Sequence, residues 1–226
     1  MKNLKEINMN TELEKKLDEL LKQGATAAEL ASIRDGWGPN QMHEGTWLHA
    51  VVHRRLLPLV TGGATAAQLA SVRDDRGRSA LSIAACKCLD DVRGGVTAEE
   101  LKKDVSARGT TSLFYAVQYG QAQKINDGVP QGSLTDAELA KIMRYHCRGF
   151  YLPQDFDTLQ LLMELGASKE GLRGYIYRCR KKLLQAAQAK SPIKERLCER
   201  LRLLTRVAEK SGMEVCHPAN VVEVLL

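Results

Sequence analysis

The chain contains one fifteen-residue phrase nearly twice: GATAAELASIRDGWG begins at Gly24 and GATAAQLASVRDDRG at Gly63, with 11 of 15 positions identical. A phrase that recurs at fixed spacing builds the same local element again, and such elements bury their apolar faces by packing on one another. Within the copies, Thr26 to Glu29 and Thr65 to Gln68 have the form Thr-x-x-Glu/Gln. The threonine hydroxyl accepts from the backbone N–H three residues on, and the Glu or Gln side chain returns to the threonine N–H, so each phrase opens a helix. The box recurs at Thr97 to Glu100 and Thr135 to Glu138, and in weaker form at Ser168, where Gly171 takes the acidic position. The five anchors, at 26, 65, 97, 135 and 168, are spaced by 39, 32, 38 and 33 residues.

Apolar stretches ending in glycine, LEKKLDELLKQG, LLPLVTGG and DTLQLLMELG, precede most boxes. Glycine after the last apolar residue is a helix C-cap signal, so each unit is expected to end one helix, turn and cap another. A third element follows three of the boxes: GTWLHAVV, GRSALSIAA and GTTSLFYAVQYG, with Leu48, Leu81 and Leu113 spaced 33 and 32 apart.

These elements resemble the ankyrin repeat, a unit of about 33 residues with two antiparallel helices and a T-P-L-H-x-A signature. Thr46, Trp47, Leu48 and His49 match T-x-L-H, and Ser79 to Ala85 and Thr111 to Val117 match with conservative changes. Gly120 and Gln121 sit where the family's first helix ends, and LQLLMELGAS is similar to its second helix. The proline of the signature is absent from every copy. The capped TAAEL segment is expected to form a short helix in place of the family's hairpin finger.

The resemblance implies an all-α fold, a helical-repeat solenoid over residues 1–168 with units near 11–45, 46–76, 77–108 and 109–168. The charged helix from Thr11 to Gln23 would cap its first unit, and residues 169–226 would form a basic helical module packed on the last. High Ala and Leu with only 5% aromatic residues favours helix over sheet.

The resemblance also implies a non-catalytic, protein-binding role. The pairs after the first helix's small residues, His53 and Arg54, Cys86 and Lys87, and Gln118 and Tyr119, fall where the family lines its concave groove. The unit tips add Trp37, Asn40, Met42, Arg73, Asp74, Arg76 and Arg108. Trp37, in the turn DGWGPN, reads either as a packed lid or as a partner anchor, since Trp and Arg are enriched at binding hot spots. Another protein is the expected partner.

Charge is uneven. The whole chain carries +6, but Lys169 to Lys210 holds 13 Lys/Arg against 4 Glu, which leaves the rest slightly acidic. Two helices are expected there, over 172–189 and 192–210, the second with a stripe of Ile193, Leu197, Leu201, Leu204 and Val207. Their basic patch, Arg178, Lys181, Lys182, Arg196, Arg200, Arg202 and Arg206, reads as a solvated face or as a surface for nucleic acid or an acidic partner.

Catalytic and metal signatures are weak. His49 and His53 stand at i, i+4 with His43 as a third candidate, yet His49 fills the position where the family's histidine bonds backbone in a neighbouring turn. Cys86-Lys87-Cys88 lacks zinc-knuckle spacing, and His146-Cys147 are adjacent on a helix and do not face each other. No phosphate-loop, dinucleotide or nucleophile-elbow motif is present. No enzyme activity, cofactor or metal is therefore expected. The six cysteines read as packing thiols, and a run of 18 apolar residues or a signal-peptide core is absent, so a cytoplasmic protein without membrane attachment is expected, and its two differently charged ends read as those of a monomer.

Overall fold

The computed structural model describes residues 14–37, 43–149, 154–188 and 194–213. Four of the expected helix starts carry both halves of the capping box. The hydroxyls of Thr26, Thr65, Thr97 and Thr135 accept from the N–H three residues on at 3.3–3.4 Å, and the return bonds measure 2.7–2.9 Å. At the fifth, Gly171 N–H donates to Ser168 Oγ at 3.2 Å, and glycine has no side chain to return the bond.

The described elements run in order α1 (residues 14–22), α2 (Ala27–Ser32), β1 (Arg34–Trp37), β2 (His43–Thr46), α3 (Trp47–His53), α4 (Ala66–Ser71), α5 (Ala80–Lys87), α6 (Ala98–Lys103) and α7 (Ser112–Gln118), then α8 (Asp136–Gly149), α9 (Gln154–Glu164), α10 (Lys169–Gln188) and α11 (Lys194–Lys210). The chain is thus mostly helical. Its contacts divide it into two compact regions between Val129 and Pro130. This departs from the boundary expected after residue 168: α9 packs on α8 and α11, and α8 packs on α10, so residues 130–168 belong with the basic helices.

In the first region, three successive segments share one arrangement. A six-residue capped helix (α2, α4, α6) is followed by a hairpin, a second helix (α3, α5, α7) and a 3-10 turn. Two sequence expectations are corrected here. The stretch LLPLVTGG holds the 3-10 turn Leu57–Leu59, not the end of an α-helix, because Pro58 and the following glycines leave no room for one. The hairpin, expected to be replaced by the capped helix, follows that helix directly.

Each capped helix stops where its next residue, Ile33, Val72 or Asp104, takes an extended conformation. The chain then turns back. Asp74 N–H donates to Arg78 O and Gly77 N–H to Asp74 O, both at 2.9 Å, and Ser106, Thr110 and Gly109 reproduce both bonds at 2.9 Å. In the first segment the hairpin is longer, an antiparallel pair with Arg34 opposite Thr46 and Trp37 opposite His43.

The core recurs with the same period. Leu48, Leu81 and Leu113 are fully buried on α3, α5 and α7, as are Leu30, Leu69 and Leu101 on the capped helices. Helix α3 packs on α5, and α5 on α7. On the 3-10 turns, Leu57 with Val60, Leu89 with Val92 and Ala122 with Ile125 are buried together. Three residues per turn puts side chains at i and i+3 on one side. A backbone ladder joins the segments: Thr61 N–H donates to Ala25 O at 3.0 Å, Arg93 N–H to Ala64 O at 2.9 Å, and Asn126 N–H to Val96 O at 2.9 Å. Helix α1 closes the first end, with Leu17 and Leu21 buried and Glu14 ion-paired to Arg54.

In the second region, α10 packs along α11, which buries Leu197, Leu201, Leu204, Val207 and Ala208. The helix starts at Lys194, and Ile193 of the expected stripe lies outside the described residues. Among the described residues, no helix is long and apolar enough to cross a membrane.

Candidate functional site

His49 lies at the start of α3, fully buried. Its Nδ1 accepts from Thr46 N–H at 3.2 Å, which fixes the proton on Nε2, and Nε2 stands 3.3 Å from Arg78 O in the next hairpin. Burial, chiefly, holds its pKa below the usual histidine range. A ring occupied at both nitrogens serves the frame. Among the described residues no group of three or more His, Cys, Asp or Glu is placed to hold a metal.

Asp74 and Arg73, read from sequence as tip residues, are structural. Asp74 is 6% exposed; its Oδ1 accepts from Arg76 N–H and Arg78 N–H at 3.0 and 2.8 Å, and its Oδ2 from Arg78 Nε at 2.9 Å. An aspartate after the extended residue ties the turn to itself, which leaves it no acceptor to offer outward. Arg73 donates to Gly77 O, Val105 O and Asp104 Oδ1 at 2.9–3.0 Å. Asp104 is buried and also accepts from the hydroxyls of Ser79 and Ser112. Sequence reading did not single out Asp104, since a lone aspartate ending a helix has the look of an ordinary surface residue.

The tips themselves are Arg76 and Arg108, both exposed. Trp37 ends β1 opposite His43. Its side chain, and Asn40 and Met42 altogether, lie outside the described residues. The turns of neighbouring tips are in close contact: a Cβ built on Gly77 would come within 2.5 Å of Ala107 Cβ.

The three groove pairs stand at the ends of α3, α5 and α7, which pack in sequence. His53, Lys87 and Gln118 are half-buried, and Arg54 and Tyr119 are exposed. Lys87 Nζ donates to His53 O at 3.3 Å, joining two of the pairs. Burial pushes the Cys86 thiol up to about 12 and the Cys88 thiol up to about 11, so neither is a nucleophile at neutral pH.

The second region holds a cleft of about 470 Å3, lined by Arg144, Tyr175, Arg178, Cys179, Lys182, Leu197 and Arg200. On α10, Tyr175, Arg178, Cys179 and Lys182 are spaced by three, four and seven residues from the first, which places them on one helix face. Leu197 and Arg200 approach from α11 and Arg144 from α8. The Arg178 guanidinium stacks 4.3 Å from the Tyr175 ring centroid. No carboxylate lines the cleft among the described residues.

The structure therefore gathers Arg178, Lys182 and Arg200 of the expected basic patch. Lys181, Arg202 and Arg206 are exposed but outside the cleft lining, and the Arg196 side chain lies outside the described residues. Arg144 was missed, since nothing in its local sequence ties it to helices that follow it by more than twenty residues. The Cys179 thiol on the same face is pushed up by burial, against the pull of Arg200 and Lys182. Comparison with protein-family models, with curated proteins and with solved structures finds no match.

Proposed function

We propose that the chain is a non-catalytic protein-binding module whose first region is a short solenoid of ankyrin-like units. The observation that carries this reading is the identity of frame between the turns Asp74–Arg78 and Ser106–Thr110, alongside the difference in what they present: Asp75 and Arg76 in one, Ala107 and Arg108 in the other. Equal frames carrying unequal outward residues are what a rigid recognition surface requires, because little ordering is left for the moment of binding. The His49 bond to the next turn and the Arg73 fork into Asp104 hold successive turns in register.

The partner is bound along the row of tips and the adjoining helix ends, with Arg76, Arg108 and Tyr119 as the exposed contacts. The test is affinity capture on the full chain, wild type against Arg76→Ala/Arg108→Ala. A protein retained by the wild type and lost at least tenfold from the variant, at equal melting temperature, supports the reading. Equal retention on both would sink it.

A further inference from the structure

The cationic cleft of the second region is independent of the binding surface just proposed. Four cations, Arg144, Arg178, Lys182 and Arg200, line it from three helices, and the lining among the described residues includes no acid. Arg200 has an interaction of its own, so the charge open to a ligand is that of Arg144, Arg178 and Lys182. Like charges gathered in this way oppose one another, and the arrangement is relieved by an anion of matching charge. Two of these three are arginines, whose planar forks match the paired oxygens of a phosphate.

We propose that this cleft is a binding site for a small molecule carrying a di- or triphosphate group, nucleotide in size. A single carboxylate brings one negative charge to the three cations Arg144, Arg178 and Lys182; a pyrophosphate group brings about three and enough oxygens for several contacts at once. The volume of about 470 Å3 lies within the ~300–1,000 Å3 of small-molecule sites. Leu197 and the Tyr175 ring, itself braced by Arg178, give the non-phosphate part an apolar wall to rest on. Duplex nucleic acid is met differently, by cations strung along a rod-like backbone. Here Arg202 and Arg206, two and six residues on from Arg200 and so on another side of α11, stand outside the lining.

The test uses the full chain at fixed ionic strength with no divalent cation added, and measures binding of ATP, inorganic pyrophosphate, adenosine and a DNA duplex by calorimetry. Pyrophosphate and ATP are expected to bind saturably and to raise the melting temperature, ATP more tightly where the apolar wall contributes, while adenosine does not bind. Arg144→Gln/Arg178→Gln should weaken both phosphate ligands about a hundredfold, near tenfold per guanidinium. Arg202→Gln/Arg206→Gln should change them less than threefold. Should the double cleft variant fail to fold by circular dichroism, Lys182→Gln, an exposed single change, gives the same readout with a loss near tenfold. Pyrophosphate failing to saturate the wild type would overturn the proposal. So would equal losses in the cleft and Arg202/Arg206 variants, or a duplex that binds more tightly than ATP and depends on Arg202 and Arg206, since either result assigns the charge to a diffuse basic face.

Discussion

Arg73 Nη2 reaches from one segment to Asp104 Oδ1 of the next at 2.9 Å, and the aspartate side chain it meets is 2% exposed. Asp104 also accepts from Ser79 and Ser112, so one carboxylate holds the starts of α5 and α7 and the end of α6 together. Removing one partner of a buried pair costs about 3–5 kcal/mol, because the other is left charged and dry. The Arg73 side chain is 40% exposed, and solvent reaching it lowers its share. Arg73→Ala is expected to lose about 2 kcal/mol, and Asp104→Ala, which also strands two hydroxyls, about 3 kcal/mol or more. Urea denaturation of the two variants checks the order; a smaller loss for Asp104→Ala would contradict its place at the centre.

His49 makes stability depend on pH. Its folded pKa lies below the ordinary value of 6.5, so the unfolded chain takes up a proton that the folded chain refuses. The contribution is complete above 6.5 and is lost as pH falls through that value toward the lowered one. The urea midpoint of the wild type should therefore drop between pH 7.5 and 5 more steeply than that of His49→Gln. Parallel profiles would rule the group out as the source.

Two glycines separate conformational strain from crowding. Gly77 and Gly109 occupy the same turn position at φ +68° and +72°, but a Cβ at Gly77 meets Ala107 while one at Gly109 meets nothing within 4 Å. Gly109→Ala is expected to cost about 1 kcal/mol from backbone strain alone. Gly77→Ala should cost about 1–3 kcal/mol more, the range for overpacking a filled site. Equal melting temperatures for the two would mean the tips are not in contact.

Thiol reactivity reports on the packing between α3 and α5. With their pKa values pushed up to about 12 and about 11, Cys86 and Cys88 should alkylate with iodoacetamide at pH 8 only when the region opens. Mass spectrometry of labelled peptides should find both protected in the native chain and modified in urea. Rapid native labelling of Cys88, which is buried with its thiol 3.7 Å from Val52 O, would contradict the α3–α5 packing.

Much of the first region could be read from the sequence because its signals are local. A capping box is four residues long, and Thr26, Thr65 and Thr97 each fold as that pattern dictates. The Leu48, Leu81 and Leu113 period likewise marks the buried face of the second helices. What misled was LLPLVTGG, where apolar spacing of three suits a 3-10 turn as well as a helix end, and the hairpin, which is so short in the second and third segments that no strand pattern can develop. Asp74 and Asp104 were misplaced or overlooked because an acid in a polar turn looks the same whether it faces water or a neighbouring segment. The cleft was half visible: Arg178 and Lys182 share a helix face by spacing, but Arg144 joins them only through packing of α8 on α10.

The ladder of Thr61 to Ala25, Arg93 to Ala64 and Asn126 to Val96 has a consequence for how such a chain can change length. Each junction offers the same backbone donor and the same backbone acceptor, whatever side chains stand beside them. A coding duplication of one whole segment would insert a copy whose two edges already fit its new neighbours, and a deletion of one would bring together edges that also fit. Growth and loss by complete segments preserve the bonding at every seam, and so does the longer hairpin of the first segment, which leaves the bond from Thr61 to Ala25 in place. The near-identical phrases at Gly24 and Gly63 have the form that such a copying event leaves behind.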